Sequence, residues 1–407
     1  MTPPDHGHVT AFPLPRGCPF APPPEYDRLR AARPVARVPM VGGGTAWLVS
    51  GHHEARRMLA DPGMSADRRR AGFPRLAPVT GTQRRDSFRD FRAPLNWMDP
   101  PEHAAARRLV VDEFTARRVN LLRPRITGIV DECLDAMVAG PRPVDLVRAL
   151  AYPVPSRIIC ELLGVPYARH EFFEGRTTLM LSRGTPAPER TRCAREIRAM
   201  LDGVVTGKER DPADDLLSRL ITKLRGRGVE DHEFVVSMAF VLLVAGHVTT
   251  SNMISLSVLA LLEHPRQLAR MLTEPARIPA AVEELLRYLT IVVAATARIA
   301  VDDIEIGGVR IRAGEGVVAL IQAANRDPAA FDDPGALDID RGARHHLAFG
   351  HGRHQCLGQN LARLELQVVL DRLFRRLPGL RVAVPVGQLP LKVDANVYGL
   401  YRLPVTW

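Results

Sequence analysis

The most chemically loaded stretch of the chain is Phe349-Gly350-His351-Gly352-Arg353-His354-Gln355-Cys356-Leu357-Gly358. Glycine adopts positive φ without strain and lets backbone approach a ligand closely, so Gly350, Gly352 and Gly358 read as a loop shaped around a large flat molecule. The residues that follow, Gln359-Asn360-Leu361-Ala362-Arg363, continue with helical spacing. That spacing predicts a last helix from Leu357 to Leu377 with Cys356 at its start. Backbone N–H groups and the helix dipole at such a start stabilise a thiolate, the form of cysteine that binds metal. His354 and Arg353 add positive charge, which suits a cofactor bearing carboxylates. A lone cysteine in a turn is ordinarily a small buried hydrophobe. Here Phe349, the spaced glycines and the helix agree on a metal-ligating thiolate instead.

Three further groupings stand out, each unspecific alone. Glu284-Leu285-Leu286-Arg287 sets an acid and a base three apart on one helix face, with Arg341 later in Asp338-Ile339-Asp340-Arg341. His103 and Arg107 are four apart, hence on one face, after the helix-starting Asp99-Pro100-Pro101-Glu102. Ala245-Gly246-His247-Val248-Thr249-Thr250-Ser251-Asn252 puts polar groups inside an apolar segment, where they need a reason. Gly246 there permits a local distortion that lets Thr249 offer its hydroxyl to a bound molecule.

These residues need elements to hold them. The 231–263 segment is apolar all round, which predicts a helix of about 45 Å through the middle of the protein. Helical patterns also cover 52–60, 101–140, 145–163, 167–182, 187–206, 212–225 and 276–290. A hairpin strand is expected near Ala46 to Ser50 after Gly42-Gly43-Gly44, and short strands alternate with turns from 296 to 320. Residues 64–97 are irregular, and a loop that long is usually functional or disordered. The fold class is therefore mainly α with a small β region, as a loose Pro-rich arm over 1–24 and a single domain over 25–407.

Composition narrows the function. The chain has 407 residues, 46% hydrophobic and 25% charged, the balance of a folded soluble protein. Its net charge of +10 reads either as compositional bias or as a basic face for an acidic partner. No zinc-finger spacing or RNA-binding signature points to nucleic acid. Cys18, Cys133, Cys160, Cys193 and Cys356 form no CxxC pair, so a disulfide framework or zinc site is not expected, and a reducing cytoplasm is. The N-terminus carries no apolar leader, and no segment reads as a membrane anchor.

The cysteine loop resembles the haem-binding signature of the cytochrome P450 superfamily, Phe-Gly-x-Gly-x-His-x-Cys-x-Gly, at every fixed position. The other groupings match in order from about residue 26 onward, and the resemblance is to soluble, ferredoxin-dependent actinobacterial members. It implies the cytochrome P450 fold, with the long central helix across a buried haem b. It makes Cys356 the axial thiolate, whose electron donation favours O–O cleavage, with Ala245, Phe349, Gly350 and Gly358 around the cofactor. It assigns His103, Arg107, Arg298 and His354 to the haem propionates, and Glu284, Arg287 and Arg341 to a buried network supporting the cysteine loop. Thr249, with Gly246, Val248 and Thr250 beside it, falls on the threonine that steadies dioxygen and relays protons.

One position departs from the family. Where an Asp or Glu is usual the chain has Val248, and no other acid lies between Ala239 and Leu262. Proton delivery through Thr249 and ordered water, chemistry other than hydroxylation (coupling or desaturation), and simple shaping of the pocket all stay open. The implied function is hydroxylation or epoxidation of a lipophilic secondary metabolite or xenobiotic. A haem-thiolate sensor is the non-enzymatic competitor. The pocket maps onto Phe88, Phe91, Phe172, Phe173, Val244, Ile291, Val292, Val293 and Val397. With no nucleotide-binding fingerprint, electrons are expected from a ferredoxin and its reductase, docking on Arg108, Arg117, Arg118, Arg344, Arg353 and Arg363 of a cytoplasmic monomer.

Overall fold

A segment apolar on every side has no face to give to water, so residues 232–263 must lie inside the protein. The structure, a computed structural model, describes residues 11–77, 92–293 and 295–407. In it His232–Glu263 is one unbroken helix of 32 residues, about 48 Å at the standard rise. It is long and apolar enough to cross a membrane, but its most apolar window is 61% buried in protein, which makes it a core helix. Helices make up most of the remaining elements, so the fold is mainly α with a small β region.

The chain divides into two compact units, taken here in turn. The first comprises residues 1–81, 263–356 and 391–399. Its centre is a five-stranded sheet whose strands lie in the order 35–39, 45–49, 316–319, 297–300, 64–65. The hairpin Val35–Pro39/Thr45–Val49 turns through Gly43 and Gly44 at φ 85° and 79°, a conformation that favours glycine. Side chains alternate between two apolar clusters: Leu48 and Val318 face one with Phe12 and Tyr26, while Val49, Val317 and Ala319 face another with Met58.

The Pro-rich arm is not loose over its described part. Phe12 is fully buried, and Arg16, also buried, donates to the carbonyls of Leu289 (2.7 Å) and Pro19 (2.8 Å). The 64–97 stretch holds a short strand, Met64–Ser65, and a turn of 3₁₀ helix, Leu95–Trp97.

The second unit comprises residues 82–262, 357–390 and 400–407. Besides the long helix, Arg123–Ala139 packs against Gln359–Arg376 and Pro153–Leu163. The helix expected over 145–163 is broken. A π-helical turn, Val147–Ala151, precedes Pro153, whose ring has no N–H to continue a helix, and Pro153–Leu163 then ends on Gly164 at φ 70°. A three-stranded sheet of Val144–Asp145, Pro404–Thr406 and Arg381–Val382 was not legible from the pattern, because strands of two or three residues carry no periodicity.

Candidate functional site

In the first unit the cysteine loop closes on itself. Gly350 N–H donates to the Leu347 carbonyl (2.8 Å), Gln355 N–H to Gly352 (3.0 Å) and Cys356 N–H to Phe349 (2.9 Å). Gly350 and Gly352 sit at φ 70° and 71°. A Cβ on Gly352 would fall 2.5 Å from the Leu59 carbonyl oxygen, whereas one on Gly350 meets nothing within 4 Å. The first glycine is therefore open-faced and the second seats the loop on the 59–60 backbone. Cys356 ends this loop half-buried.

The predicted helix start is corrected. Gly358 is the cap and the helix runs Gln359–Arg376, so Cys356 lies three residues before it. The helix dipole falls off within a turn, which leaves the local loop amides as the nearer source of stabilisation for a thiolate.

Arg353 is also placed differently. Its guanidinium donates to the carbonyls of Met64 (2.6 Å), Pro62 (3.1 Å) and Asp61 (3.3 Å). Through this one Nη group it fastens the loop to the strand Met64–Ser65.

Behind the loop lies the carboxylate network. Glu284 and Arg287, on the helix Ile278–Leu289, are both fully buried and joined by two bonds of 2.7 Å. Arg341 adds a bond of 3.1 Å to the same carboxylate. Arg287 also donates to the Asn325 carbonyl (2.9 Å), and the Asn325 side chain accepts the Leu347 N–H (2.8 Å) and donates to the Thr290 hydroxyl (2.9 Å). Asn325, fully buried, thus links the network to the turn that starts the cysteine loop. Sequence reasoning missed it, because Asn325-Arg326-Asp327 reads as an ordinary polar turn.

Arg298 is buried on the strand Ala297–Ala300, and His354 is half-buried in the cysteine loop. Two of the predicted pocket segments are brought together: Val292 bridges Val397, Val293 N–H donates to Asn396 (3.1 Å) and Tyr398 N–H to Ile291 (2.8 Å). Ile291, Val293 and Val397 are buried and Val292 half-buried, an aliphatic wall built from two distant stretches.

In the second unit His103 is buried and Arg107 half-buried on the helix Glu102–Val110. On the long helix Ala245 is exposed and Val244, Gly246 and Thr249 half-buried, while His247, Val248 and Thr250 are buried. The Thr249 hydroxyl donates to the Ala245 carbonyl (2.8 Å). No distortion accompanies Gly246. A Cβ there would lie 2.8 Å from Ile159, so this glycine answers to helix packing. Phe173 is fully buried against His247 (ring centroids 5.2 Å), a core contact and not a pocket wall, and Phe172 lies under Arg176 (4.5 Å). Phe88 and Phe91 lie outside the described residues.

The expected docking arginines divide between the units. Arg108 and Arg117 are exposed on the second and Arg344 on the first, while Arg118 pairs with Glu113 (3.5 Å) and Arg363 with Gln359 (3.0 Å).

The residues present fit an iron porphyrin. A cysteine ends a loop with an open glycine face, and Arg298 and His354 bring hydrogen-bond donors in that unit; taken by itself, the second unit brings donors of its own in His103 and Arg107. The exposed Ala245 gives an otherwise buried helix one accessible face beside a hydroxyl.

A profile of the family described as Cytochrome P450 matches residues 189–394. The chain is 48% identical over 401 residues to pentalenic acid synthase of Streptomyces avermitilis, covering 98% of this chain and 97% of that one. It is 44% identical over 407 residues to vitamin D3 dihydroxylase of Streptomyces griseolus, covering 100% and 99%. Among solved structures, cytochrome P450 MoxA from Nonomuraea recticatena superposes with a TM-score of 0.90 at 54% identity, covering 98% of each chain.

Proposed function

The chain belongs to the cytochrome P450 family, and from that premise we propose that Cys356 would hold the iron of its haem b through a thiolate and that its substrate is a lipophilic product of secondary metabolism or a xenobiotic. The enzyme is a haem-thiolate monooxygenase. Bound haem supplies the activation of dioxygen, and electron donation from a cysteine thiolate favours O–O cleavage. Hydroxylation or epoxidation of the substrate is the reaction, with electrons from a separate redox partner, a ferredoxin served by its reductase. The acting unit is a soluble cytoplasmic monomer. Residues 25–407 work as one catalytic domain, a reading supported by the chain's repeated passage between the two compact units.

The residues divide the labour as follows. Arg298, His354, His103 and Arg107 would hold the two propionates by charge-assisted hydrogen bonds. Glu284, Arg287 and Arg341 act at one remove, keeping the cysteine loop in place through Asn325. Thr249 donates its proton to the helix backbone, which leaves its oxygen lone pairs to accept a hydrogen bond from water or substrate. Val248 excludes water from its own position. Ile291, Val292, Val293, Val397 and Val244 hold an apolar substrate by area. The names of two relatives, pentalenic acid synthase and vitamin D3 dihydroxylase, support a compact, largely apolar substrate.

The observation that carries this reading is the closed cysteine loop, with its positive-φ glycines and the Cys356 N–H bonded to Phe349. The test is the visible spectrum of the haem-loaded protein, reduced under carbon monoxide and titrated with lipophilic compounds. A thiolate signature that Cys356→Ser abolishes is expected. A protein that takes up no haem, or whose signature survives Cys356→Ser, refutes it. Product mass then separates reactions: a gain of one oxygen atom marks hydroxylation or epoxidation, and a loss of two hydrogens marks coupling or desaturation.

A further inference from the structure

Two acids stand side by side on the helix Ile278–Leu289, and only Glu284 belongs to the network with Arg287 and Arg341. Glu283 is also buried. Successive residues on a helix point about 100° apart, so Glu283 faces a different neighbour. That neighbour is His346, whose Nε2 lies 3.3 Å from Glu283 Oε2. Both residues belong to the first unit.

His346 sits at the entrance to the cysteine loop, its side chain only 1% exposed. Its own N–H donates to the Ala343 carbonyl (3.0 Å). The next N–H, of Leu347, goes to the Asn325 side chain (2.8 Å), and that of Ala348 goes back to His346 Nδ1 (3.1 Å). The imidazole ring also meets the Phe349 ring, centroids 5.9 Å apart and planes tilted by 46°. Phe349 in turn accepts the Cys356 N–H (2.9 Å). Contacts therefore run from Glu283 through His346 and Phe349 to the Cys356 backbone.

The two ring nitrogens have different work. Nδ1 accepts from Ala348, which puts the ring hydrogen on Nε2. Nε2 is buried and, among the described residues, has no aligned hydrogen-bond acceptor. Burying an N–H in this way costs free energy, and the carboxylate at 3.3 Å, off the N–H axis, offsets that cost by its charge. Such attraction depends on charge more than on a directed bond, and the low dielectric of the interior strengthens it. It holds the ring plane, and the ring plane decides where Nδ1 and the face toward Phe349 fall.

We propose that Glu283 and His346 are a positioning pair for the monooxygenase reaction: the Glu283 carboxylate fixes the ring of His346, and His346 sets the place of Phe349 and of the Cys356 backbone. The pair acts through the loop and not on substrate. This rests on the reading of Cys356 as the iron ligand.

The test compares haem-loaded native protein with Glu283→Gln, His346→Asn and the double variant. Gln keeps the shape of Glu283 without its charge, and the Asn amide oxygen replaces Nδ1 as an acceptor without the ring. Each protein is held at the urea concentration that gives equal global stability by far-UV circular dichroism. Two quantities are then read: the rate at which the reduced, carbon monoxide-bound protein loses its thiolate Soret band, and amide exchange over 347–356. At matched stability a merely structural role leaves both unchanged. Glu283→Gln should lose the band about tenfold faster than native protein, with faster exchange over the loop. His346→Asn should lose it at least as fast, and the double variant no faster than His346→Asn alone. Glu283→Asp, which keeps the charge, should recover part of the native rate and decides the matter should His346→Asn fail to fold. Glu315→Gln, which weakens the Trp47 contact on the sheet (2.8 Å), should keep the native rate. Native rates in Glu283→Gln overturn the proposal, as does a Glu283→Asp rate equal to that of Glu283→Gln. So does a further tenfold loss when Glu283→Gln is added to His346→Asn, which would mean that Glu283 acts by another route. An equal acceleration in Glu315→Gln overturns it too, by marking a general loosening. A native protein with no thiolate band removes the haem reading and the proposal with it, whereas a native band with native rates in the variants removes the proposal alone.

Discussion

Replacing Arg287 by Met tests how much of the fold around the cysteine loop hangs on one buried cation. All five N–H donors of Arg287 are engaged: two on Glu284 (2.7 Å each), two on Asn325 and Pro334 (2.9 Å each), one on Ala336 (3.0 Å). Methionine is apolar and of similar length, so the change removes charge and donors without opening a large cavity. Glu284, fully buried, would keep only Arg341 Nε (3.1 Å) and the Asp338 N–H (3.0 Å), both on Oε1. Stranding a buried carboxylate in this way costs about 3–5 kcal/mol, roughly a hundredfold to a few thousandfold in the folding equilibrium. That is a large share of the ~5–15 kcal/mol by which domains are stable. Urea unfolding should show the midpoint falling with the slope unchanged. Glu284→Gln added to Arg287→Met removes the stranded charge and should recover part of the loss. A loss below about 1 kcal/mol for Arg287→Met, or a double variant weaker than the single one, would refute the claim that the network acts through buried charge.

Asn325→Ala should cost about 1–3 kcal/mol, because the Leu347 N–H is left without its acceptor. The haem-loaded variant should also lose thiolate ligation, read as a changed Soret band, faster than native protein in mild urea; equal rates would separate Asn325 from the loop. Glu365 is buried, and burial raises its pKa well above 4.5. The folded state therefore holds a proton that the unfolded state releases, so this contribution to stability is full below about pH 4.5 and declines as pH rises towards the folded value. Glu365→Gln should flatten that decline in urea midpoints measured across the range, and an unchanged slope would assign the effect elsewhere.

What the sequence made legible followed from how far each signal reaches along the chain. The long helix was readable because all-round apolarity over thirty residues has one physical solution, and the Glu284–Arg287 pairing because helical spacing puts the two on one face. The aliphatic run 291–293 was visible, but its pairing with 396–398 was not, since a two-residue bridge across a hundred residues leaves no local pattern. The anchoring contacts of Arg353 were hidden for a related reason. Charge shows in a sequence, whereas three carbonyls converging from a distant turn do not. Gly246 was read as permitting a local distortion because glycine in a helix usually costs stability. Its cause is the side chain of Ile159, 87 residues earlier in another helix. The helix start after Cys356 was set too early, since Leu357 and Gly358 suit a turn and a helix end equally.

Val248 is where sequence and structure meet most sharply. The family places an acid here, and the burial of this position explains why valine settles well: only 4% of Val248 is exposed, beside the accessible Ala245 and Thr249. A glutamate at this buried position would have to swing to the accessible face or stay protonated. Val248→Glu should therefore lower stability, by about 1–3 kcal/mol, while giving Thr249 a neighbouring proton source. If proton supply limits the native enzyme, Val248→Glu should raise product formed per electron consumed despite that loss, and Val248→Ala should lower it by admitting disordered water. If both variants match the native enzyme in rate and in product per electron, position 248 only shapes the pocket. Thr249 and water would then suffice without a carboxylate.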